Sequence, residues 1–248
     1  MIKKNILITG SSYGIGFGIA KNFESSNHNI IITSRNLAKL KTAKKKLVSK
    51  NCFPYVCNFE NDKAVNKLMK KIKQKFSKID IIICNVGSGK TSRSGEENSN
   101  VWKNVFSKNF FSTTNVIENY LKTFKKSKNL TKIIIVGSIA GKFRGNAPLS
   151  YSLAKNCLLN YVDKISSILA KKNILINSIS PGHVLIKGNN WHKKILKNKN
   201  QVLKIINNTV SLKRFCKIED INNCINFLIS DKSNYINGIN IEIDGKTK

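Results

Sequence analysis

The sequence predicts an α/β protein, a doubly wound parallel sheet of seven strands with helices on both faces. Short apolar runs alternate regularly with longer segments in which apolar residues recur at helical spacing. Near-continuous β-branched runs, such as I-I-I-V at 133–136, are typical of strands buried on both faces of a parallel sheet. No internal repeat or Pro/Ser-rich linker divides the 248 residues, so we expect a single domain over 1–248.

Each predicted element follows from one of these two patterns. The apolar runs predict strands at Asn5–Thr9, Asn29–Thr33, Phe53–Cys57, Ile79–Cys84, Lys132–Val136, Ile174–Ile179 and Ile239–Ile243. Helical spacing is clearest at Val65, Leu68, Met69, Ile72 and Phe76, and again at Tyr151, Ala154, Lys155, Leu158, Val162, Ile165 and Leu169. Two segments interrupt the alternation. Residues 88–100 are polar and indicate a surface loop, and the basic stretch at about 183–212 is expected to be a lid, because long excursions in α/β sheets often cover the ligand crevice.

The charge of the chain is unusual for a protein of this size. It carries 44 Lys+Arg against 13 Asp+Glu, a formal net charge of +31, which suggests nucleic acid or an anionic membrane as a partner. However, only Arg35, Arg93, Arg144 and Arg214 are arginines, whereas phosphate-binding surfaces commonly use Arg. Lys, Asn and Ile are abundant together and share A/T-rich codons. Genome composition is therefore the favoured explanation, and neither partner is expected.

Other classes of protein are excluded by composition and spacing. Hydrophobic residues make up 41% of the chain, more than a disordered protein shows. No apolar stretch approaches the ~20 residues of a membrane span, and the N-terminus does not resemble a signal peptide. The six cysteines form no C-x-x-C pair, and His28, His183 and His192 lack zinc-ligand spacing. We therefore expect a cytoplasmic, metal-free protein.

A glycine-rich loop follows the first predicted strand, at the point where a helix begins. It reads T-G-S-S-Y-G-I-G over 9–16, with the spacing G-x-x-x-G-x-G. Glycines at such a turn let the backbone approach a pyrophosphate, and the helix N-terminus supplies N–H groups and the positive end of a dipole. The loop therefore predicts a dinucleotide-binding, Rossmann-type fold rather than a glycine turn without a ligand.

The residues at the end of the second strand bear on whether the dinucleotide is NAD(H) or NADP(H). Folds that prefer NAD usually place an acidic residue about 20 positions beyond the glycines, where it holds the ribose 2′-hydroxyl. This chain has Ser34 and Arg35 there, and Arg35 could pair with a 2′-phosphate bidentately. NADP(H) is therefore favoured over NAD(H), although an ordinary surface arginine would leave the same pattern.

Four polar residues stand out at positions that the predicted fold brings to one crevice. Tyr151 and Lys155 are four apart and share a helix face that continues as an apolar stripe. Ser138 follows the carboxyl end of the fifth strand, where ligands bind in such sheets. Asn109 lies on the apolar stripe of another helix. Buried polar groups are costly unless partnered, and while each could be a satisfied core residue, the four together favour a reaction centre.

The sequence resembles the short-chain dehydrogenase/reductase family over essentially its whole length. The glycine loop matches the family's T-G-x-x-x-G-x-G motif, and Y-S-L-A-K at 151–155 matches its Y-x-x-x-K pair. C-N-V-G at 84–87 is similar to the family's N-A-G strand end, and the P-G at 181–182 to its proline–glycine turn. The resemblance implies that the cofactor is bound by Gly10, Ser12, Tyr13, Gly14, Ile15, Gly16, Ser34, Arg35, Asn58, Asn85, Gly87, Tyr151, Lys155, Pro181, Gly182 and Val184.

The resemblance also implies a role for each of the four polar residues. Tyr151 would be the general acid of carbonyl reduction, or the base of alcohol oxidation. The Lys155 cation and the oxidised cofactor would bring its pKa from the usual ~10 toward working pH. Lys155 would also hold the nicotinamide ribose, Ser138 would hydrogen-bond the substrate oxygen, and Asn109 would anchor a water in a proton relay.

Three positions depart from the family's pattern. Asn58 stands where an Asp commonly holds the adenine amino group, and its amide oxygen can still accept that bond. Ile186 replaces a threonine that offers its hydroxyl to the cofactor, and the closing D-G-G ends in Lys246. These changes bear on cofactor affinity rather than on the reaction centre.

Three functions remain open at this point. The leading hypothesis is an NADPH-dependent carbonyl reductase, similar to 3-oxoacyl-acyl-carrier-protein reductases, that acts on a small-molecule or carrier-bound carbonyl. The runner-up is a sugar or polyol oxidoreductase of surface-polysaccharide synthesis, in which Trp191 would stack on a sugar instead of anchoring the lid. A non-catalytic NADP(H)-binding regulator is less favoured, because it has no need for both Tyr151 and Lys155.

The resemblance also implies an assembly and a substrate pocket. Related proteins are homodimers or homotetramers that pair through the helices carrying Asn109 and Tyr151. Their substrate pockets correspond to residues 88–100, 141–150 and the lid.

Overall fold

One parallel sheet organises the structure. A computed structural model describes residues 2–124, 129–143 and 146–248; Arg144, within the segment 141–150, lies outside the described residues. Within these ranges seven strands pair in the order β3-β2-β1-β4-β5-β6-β7, all parallel. They are β1 (Asn5–Ile8), β2 (Asn29–Ser34), β3 (Cys52–Val56), β4 (Ile81–Cys84), β5 (Thr131–Val136), β6 (Ile174–Pro181) and β7 (Asn240–Ile243). The predicted fold class is confirmed, with most strand ends displaced by one or two residues.

Helices connect the strands and cover the sheet. The α-helices are α1 (Gly14–Asn22), α2 (Leu37–Lys46), α3 (Asp62–Phe76), α4 (Ser99–Phe106), α5 (Ser112–Thr123), α6 (Leu149–Ala170), α7 (Asn190–Lys197), α8 (Lys199–Thr209) and α9 (Ile218–Ile229). A π-helix at Ser107–Phe111 joins α4 to α5, and short 3-10 helices occupy Ile139–Lys142 and Asp231–Ser233. Asparagine caps several of these helices: the Asn36, Asn61 and Asn98 side chains accept from the backbone N–H three residues on.

The sheet separates two apolar cores, as alternate side chains of a strand must point to opposite faces. In β1, Ile6 and Ile8 contribute to the core on the side of α1, α2 and α9. Leu7 between them contributes to the core on the side of α3, α5 and α6. Both faces of the central strands are therefore buried, which explains why their sequences are continuous apolar runs.

The strand order reverses at β1, and this determines where a ligand can bind. The chain runs outward through β2 and β3, and then crosses back to place β4 on the other side of β1. The connections that leave β1 and β4 consequently diverge and open a crevice beyond the carboxyl ends of these strands. Ligands in open α/β sheets bind at such a reversal of strand order.

Candidate active site

A cleft of about 480 Å³ lies at this reversal point, and most of the residues singled out from the sequence line it. Those that line it are Gly10, Ser12, Tyr13, Gly14, Ile15, Ser34, Arg35, Asn58, Asn85, Gly87, Tyr151 and Lys155. Six others, Gly16, Asn109, Ser138, Pro181, Gly182 and Val184, are outside its lining. Lining residues that sequence reasoning missed include Lys39, Phe59, Glu60 and Lys108, while Ser88 belongs to the predicted pocket segment 88–100. The cleft thus joins the glycine loop to the Tyr–Lys pair across one continuous surface.

The glycine loop adopts a backbone that side chains would disturb. Gly10 and Gly14 have φ angles of +61° and +67°, in the left-handed region that favours glycine. A Cβ on Gly16 would lie 2.5 Å from the Gly10 carbonyl oxygen, so this position is packed against the loop and not open to the cleft. The Asn85 side-chain amide donates to the carbonyls of Thr9 (3.2 Å) and Gly10 (3.1 Å). Asn85 therefore holds the loop in shape from the end of β4.

The N-terminus of α1 opens into the cleft without a side-chain cap. Its N-cap residue, Tyr13, makes no capping hydrogen bond, whereas α2 and α3 are capped by asparagines. The first N–H groups of a helix have no partner within the helix, and together with the dipole they favour an anion. Tyr13 instead donates its hydroxyl to the Lys187 carbonyl, which links the glycine loop to the 183–212 segment.

The far end of the cleft carries the predicted determinant of cofactor choice. Arg35 is paired with Glu60 through Nη1 and Oε1 at 3.0 Å, with 67% of the arginine side chain exposed. The Ser12 hydroxyl donates to the Ser34 hydroxyl at 3.0 Å. Asn58 accepts the backbone N–H of Glu60 on its amide oxygen at 3.2 Å, which leaves one lone pair of that oxygen. Arg35 thus lines the cleft, but with a carboxylate beside it that the sequence did not suggest.

Tyr151 and Lys155 face the cleft from one side of α6. Lys155 is only 3% exposed, and its ammonium donates to the Val136 carbonyl at 3.0 Å. Burial lowers the pKa of Lys155 to about 8. Burial raises the pKa of Tyr151, and a hydrogen-bonding interaction with the Ser138 hydroxyl lowers it by less, so that the net shift is upward. Without a cofactor, then, the phenol is protonated at neutral pH, and its pKa is not brought down as the resemblance implies for the complex.

Asn109 is completely buried in the π-helix and its side chain holds a loop. Its amide oxygen accepts the Ser88 N–H at 2.8 Å. Its amide nitrogen donates to the carbonyls of Ser88 (3.0 Å) and Val105 (2.9 Å). Both amide hydrogens are consequently used by the backbone. The amide is thus occupied in fixing the strand end after β4, and π-bulges of this kind are frequent at functional sites.

The predicted turn after β6 lies at the same edge of the sheet but apart from the cleft wall. Pro181 is the last residue of β6, and Gly182 donates its N–H to Ile243 at 3.0 Å. A Cβ on Gly182 would lie 2.9 Å from the Asp244 backbone, so the close approach of β7 requires glycine there. Val184 is buried and forms an isolated bridge with Cys216.

Trp191 packs within the 183–212 segment and the turn before α9. Its ring lies 4.9 Å from the His183 ring and 5.5 Å from the Phe215 ring, both edge-on. The Lys194 ammonium lies 5.0 Å from the Trp191 centroid. These contacts are those of an anchor for the segment, and Trp191 is not among the residues that line the cleft.

The part of the chain that the structure describes shows neither a metal-binding cluster nor a membrane-spanning helix. Across the described residues, no three or more His, Cys, Asp or Glu side chains are grouped so as to hold a metal ion. No helix in the same part of the chain has both the length and the apolar character needed to cross a membrane.

The fold and the cleft define a dinucleotide-binding α/β oxidoreductase, and comparison with known proteins identifies its family. The family model described as enoyl-(acyl carrier protein) reductase matches residues 10–245. The chain is 30% identical over 244 residues to the 3-oxoacyl-acyl-carrier-protein reductase FabG of Buchnera aphidicola subsp. Schizaphis graminum, covering 98% of this chain and 96% of that protein. The protein therefore belongs to the short-chain dehydrogenase/reductase family of oxidoreductases.

Solved structures share the fold across the full chain. L-sorbose reductase from Gluconobacter frateurii, crystallised with NADPH and L-sorbose, superimposes with a TM-score of 0.89 at 22% identity, covering 99% of this chain and 96% of that one. YwfH, an NADPH-dependent reductase of bacilysin biosynthesis, gives a TM-score of 0.90 at 22% identity over 100% and 99% of the two chains. Identities this low establish the architecture alone.

Proposed function

We propose that the protein is an NADPH-dependent oxidoreductase that reduces a carbonyl to a secondary alcohol, or catalyses the reverse. The observation that carries this proposal is the Tyr151 phenol, beside the Ser138 hydroxyl and one helical turn from Lys155, on the wall of a cleft that begins at the glycine loop. A proton donor at this position complements hydride delivery, which is the chemistry that the cofactor supplies when bound.

The residues at the glycine loop fit a dinucleotide. The uncapped first turn of α1 leaves N–H donors for a pyrophosphate, and a Cβ on Gly14 would meet no atom within 4 Å, so the loop surface there is open. Cationic residues are no more frequent among the lining residues than in the chain as a whole, so charge alone does not support a polyanionic ligand. The support comes from the shape of the loop and from its donors.

The chemical roles follow from the protonation states and contacts. At neutral pH the Tyr151 phenol is protonated, which is the state needed to donate a proton to the oxygen of a reduced carbonyl. The Lys155 cation stabilises the phenolate that donation leaves, and the Ser138 hydroxyl hydrogen-bonds the substrate oxygen as negative charge develops on it. Asn109 contributes by fixing the Ser88 backbone, which lines the cleft.

The substrate class that we favour is a 3-oxoacyl thioester, free or bound to a carrier. The relatives of about 30% identity over nearly the whole chain include 3-oxoacyl-acyl-carrier-protein reductases, which supports this choice. The sugar or polyol alternative relied on Trp191, whose ring is already in contact with His183, Phe215 and Lys194. No observation in the cleft favours that alternative.

The function is tested by following NADPH oxidation at 340 nm with a panel of substrates. The panel contains a 3-oxoacyl thioester, a ketose, a simple ketone and, because the matching family model is described as an enoyl reductase, a trans-2-enoyl thioester. We expect turnover of the 3-oxoacyl thioester with a kcat/KM at least about tenfold above the others. Turnover of the enoyl thioester alone would contradict carbonyl reduction, and tight NADPH binding with no turnover of any compound would favour the regulator.

Cofactor choice is predicted to depend on Arg35. Arg35→Gln should raise the KM for NADPH by about tenfold, the loss expected for one exposed charge-assisted contact, and leave the KM for NADH within about twofold of wild type. The control is Lys41→Gln, which removes the same charge from α2 at an exposed position outside the cleft lining. Steady-state kinetics with both cofactors give the result; an equal effect on NADH and NADPH would contradict a 2′-phosphate contact.

We also propose that the enzyme is a homo-oligomer in the cytoplasm. A homodimer or homotetramer formed through the π-helix that carries Asn109 and through α6, which carries Tyr151, would cover Phe111 and Ile168, which are 49% and 53% exposed. A cytoplasmic enzyme is expected, with the 183–212 segment acting as a lid over the bound substrate. Sedimentation should then give a species larger than the 27.9 kDa chain.

A further inference from the structure

The loop between β4 and α4, residues 88–97, is hydrogen-bonded at its start to the π-helix and at its far end to α6. We call it the 88–97 loop. At its start, the Ser88 backbone exchanges two hydrogen bonds with the buried Asn109 side chain. At its far end, Ser94 and Glu97 reach the first turn of α6, the helix that carries Tyr151 and Lys155. The loop therefore connects the π-helix to the helix of the proposed proton donor.

The first turn of α6 has no cap of its own and receives one from this loop. Its N-cap is Pro148, which makes no side-chain capping bond, and its first turn contains no acidic residue. The Leu149 N–H donates to the Ser94 hydroxyl at 3.0 Å. The Ser150 N–H donates to Glu97 Oε1 at 3.1 Å. Two of the N–H groups that a helix start leaves unpaired are thus satisfied from a segment more than 50 residues away in sequence.

The Glu97 carboxylate is itself held in place. Its second oxygen accepts the Gly95 N–H at 2.7 Å, so both oxygens have backbone donors. Partial burial raises the pKa of Glu97, but the backbone hydrogen bonds from Ser150 and Gly95 outweigh it, and the net pKa lies below its ordinary value. The group is therefore an anion at neutral pH, and it lies at the positive end of the 22-residue α6. A third contact joins the Thr91 and Ser150 hydroxyls at 3.0 Å.

We propose that Glu97 is a positioning residue for Tyr151, acting through the first turn of α6; this role rests on the proposed function. Tyr151 follows Ser150 directly, so the amide that Glu97 binds belongs to the turn that fixes where the phenol lies in the cleft. The rate of proton transfer falls when the donor is displaced by about 0.5–1 Å. Cofactor binding at the glycine loop does not depend on the first turn of α6. The effect of Glu97 therefore falls on the chemical step rather than on cofactor affinity.

The test compares three full-length variants with wild type. Glu97→Ala removes the acceptor and the charge, and Glu97→Gln keeps an acceptor oxygen for the Ser150 N–H. Glu96→Ala, the matched control, removes the same charge at the exposed neighbouring position. Two measurements are made on each: kcat and KM for NADPH with the best carbonyl substrate, and amide hydrogen exchange over residues 146–152. The exchange measurement needs neither cofactor nor turnover.

The expected results separate positioning from a general loss of structure. In Glu97→Ala, kcat falls by about tenfold, KM for NADPH stays within about twofold, and exchange in the first turn of α6 is about tenfold faster. Glu97→Gln recovers kcat to within about threefold of wild type, and Glu96→Ala behaves as wild type. If Glu97→Ala does not fold, Ser94→Ala replaces it; this variant loses a single neutral hydrogen bond, and a smaller effect of the same kind is expected.

Each other outcome contradicts the proposal at an identifiable point. Unchanged kcat in Glu97→Ala overturns the positioning role, and a fall in kcat without faster exchange overturns the route through the first turn of α6. A fall in kcat that Glu97→Gln does not recover overturns the hydrogen-bond argument. Failure of wild type to turn over any carbonyl on the panel is a failure of the proposed function instead, and the exchange data then decide whether Glu97 caps α6.

Discussion

Replacing Tyr151 with phenylalanine is expected to lower kcat for carbonyl reduction by about 10²–10⁴-fold, the range typical of a lost general acid. The substitution removes one hydroxyl and keeps the ring. Burial holds the pKa of this phenol above its ordinary value, so at neutral pH it is a protonated donor beside Ser138. Without it, the developing alkoxide must take its proton from water.

Cofactor binding provides the first control on this prediction. The glycine loop and Lys155 are unchanged in Tyr151→Phe, so the dissociation constant for NADPH, measured by fluorescence titration, should stay within about threefold of wild type. A loss of binding as large as the loss of kcat would mean that the phenol holds the cofactor and does not act as the proton donor.

Tyr161 offers a second control on the same helix. It lies on α6 with its ring 5.9 Å from that of Phe110, and burial raises its pKa to about 12, yet it is not among the residues that line the cleft. Tyr161→Phe removes a partly buried phenol hydroxyl away from the reaction centre and should leave kcat within about twofold of wild type. Equal rates in wild type and Tyr151→Phe would rule out the proton-donor role.

The parts of the site that the sequence predicts are those set by local chemistry. Gly10 and Gly14 stand where the backbone takes positive φ, and no other residue type serves as well there, so their spacing is visible in one chain. Tyr151 and Lys155 share a face because a helix brings residues four apart together. The continuous apolar runs predict a sheet covered on both faces, and the sheet in turn determines where its carboxyl ends meet.

The parts that the sequence does not predict depend on contacts between distant segments. Glu60 pairs with Arg35, and Glu97 binds the Ser150 N–H, across separations that no periodicity or propensity encodes. The π-helix around Asn109 is equally hidden, because a single extra residue displaces the apolar stripe too little to change the pattern. The sequence predicts that Asn109 anchors a water, but it does not show which backbone groups the side chain meets. In the structure the Asn109 amide nitrogen donates one hydrogen to the Ser88 carbonyl and the other to the Val105 carbonyl.

The turn after β6 illustrates a different limit. Gly182 is required where β6 packs beside the end of β7, because a Cβ at this position would lie 2.9 Å from the Asp244 backbone. A motif match alone does not distinguish a residue that supports the fold from one that lines the cleft. In this chain strand packing explains the glycine of the P-G turn.

Lys155→Met is expected to lower kcat by about 10²–10³-fold, the range for removing a preorganised charge that stabilises the developing anion. The replacement is of similar length and apolar, so it keeps the packing of α6 against β5. The Lys155 cation is buried and lies on the same helix face as Tyr151, where it favours the phenolate that proton donation leaves. Methionine gives the phenolate no such stabilisation, and the barrier to proton transfer rises.

Lys155→Met is expected to fold with nearly the stability of wild type, so a loss of activity in this variant would not reflect unfolding. Lowering the pKa of Lys155 from 10.5 to about 8 corresponds to a cost of ~3 kcal/mol for keeping the ammonium charged inside the protein at neutral pH. Methionine relieves that cost but leaves the Val136 carbonyl without its donor, a loss of about 1–3 kcal/mol. The two contributions nearly cancel, and the melting temperature should stay within a few degrees of wild type.

The pH dependence of kcat/KM is the most direct test of the role of the Lys155 cation. The ammonium is the charged form below its pKa, so in the free enzyme the cation is present at pH 7 and is lost as the pH rises through about 8. Because kcat/KM reports the free enzyme, kcat/KM for NADPH in wild type should fall above about pH 8. The Tyr151 phenol, with its pKa raised by burial, ionises at higher pH and does not produce this limb. The pH profile of Lys155→Met should have no alkaline limb near pH 8. An unchanged profile in that variant would show that another group titrates there and that the Lys155 cation does not accelerate the reaction.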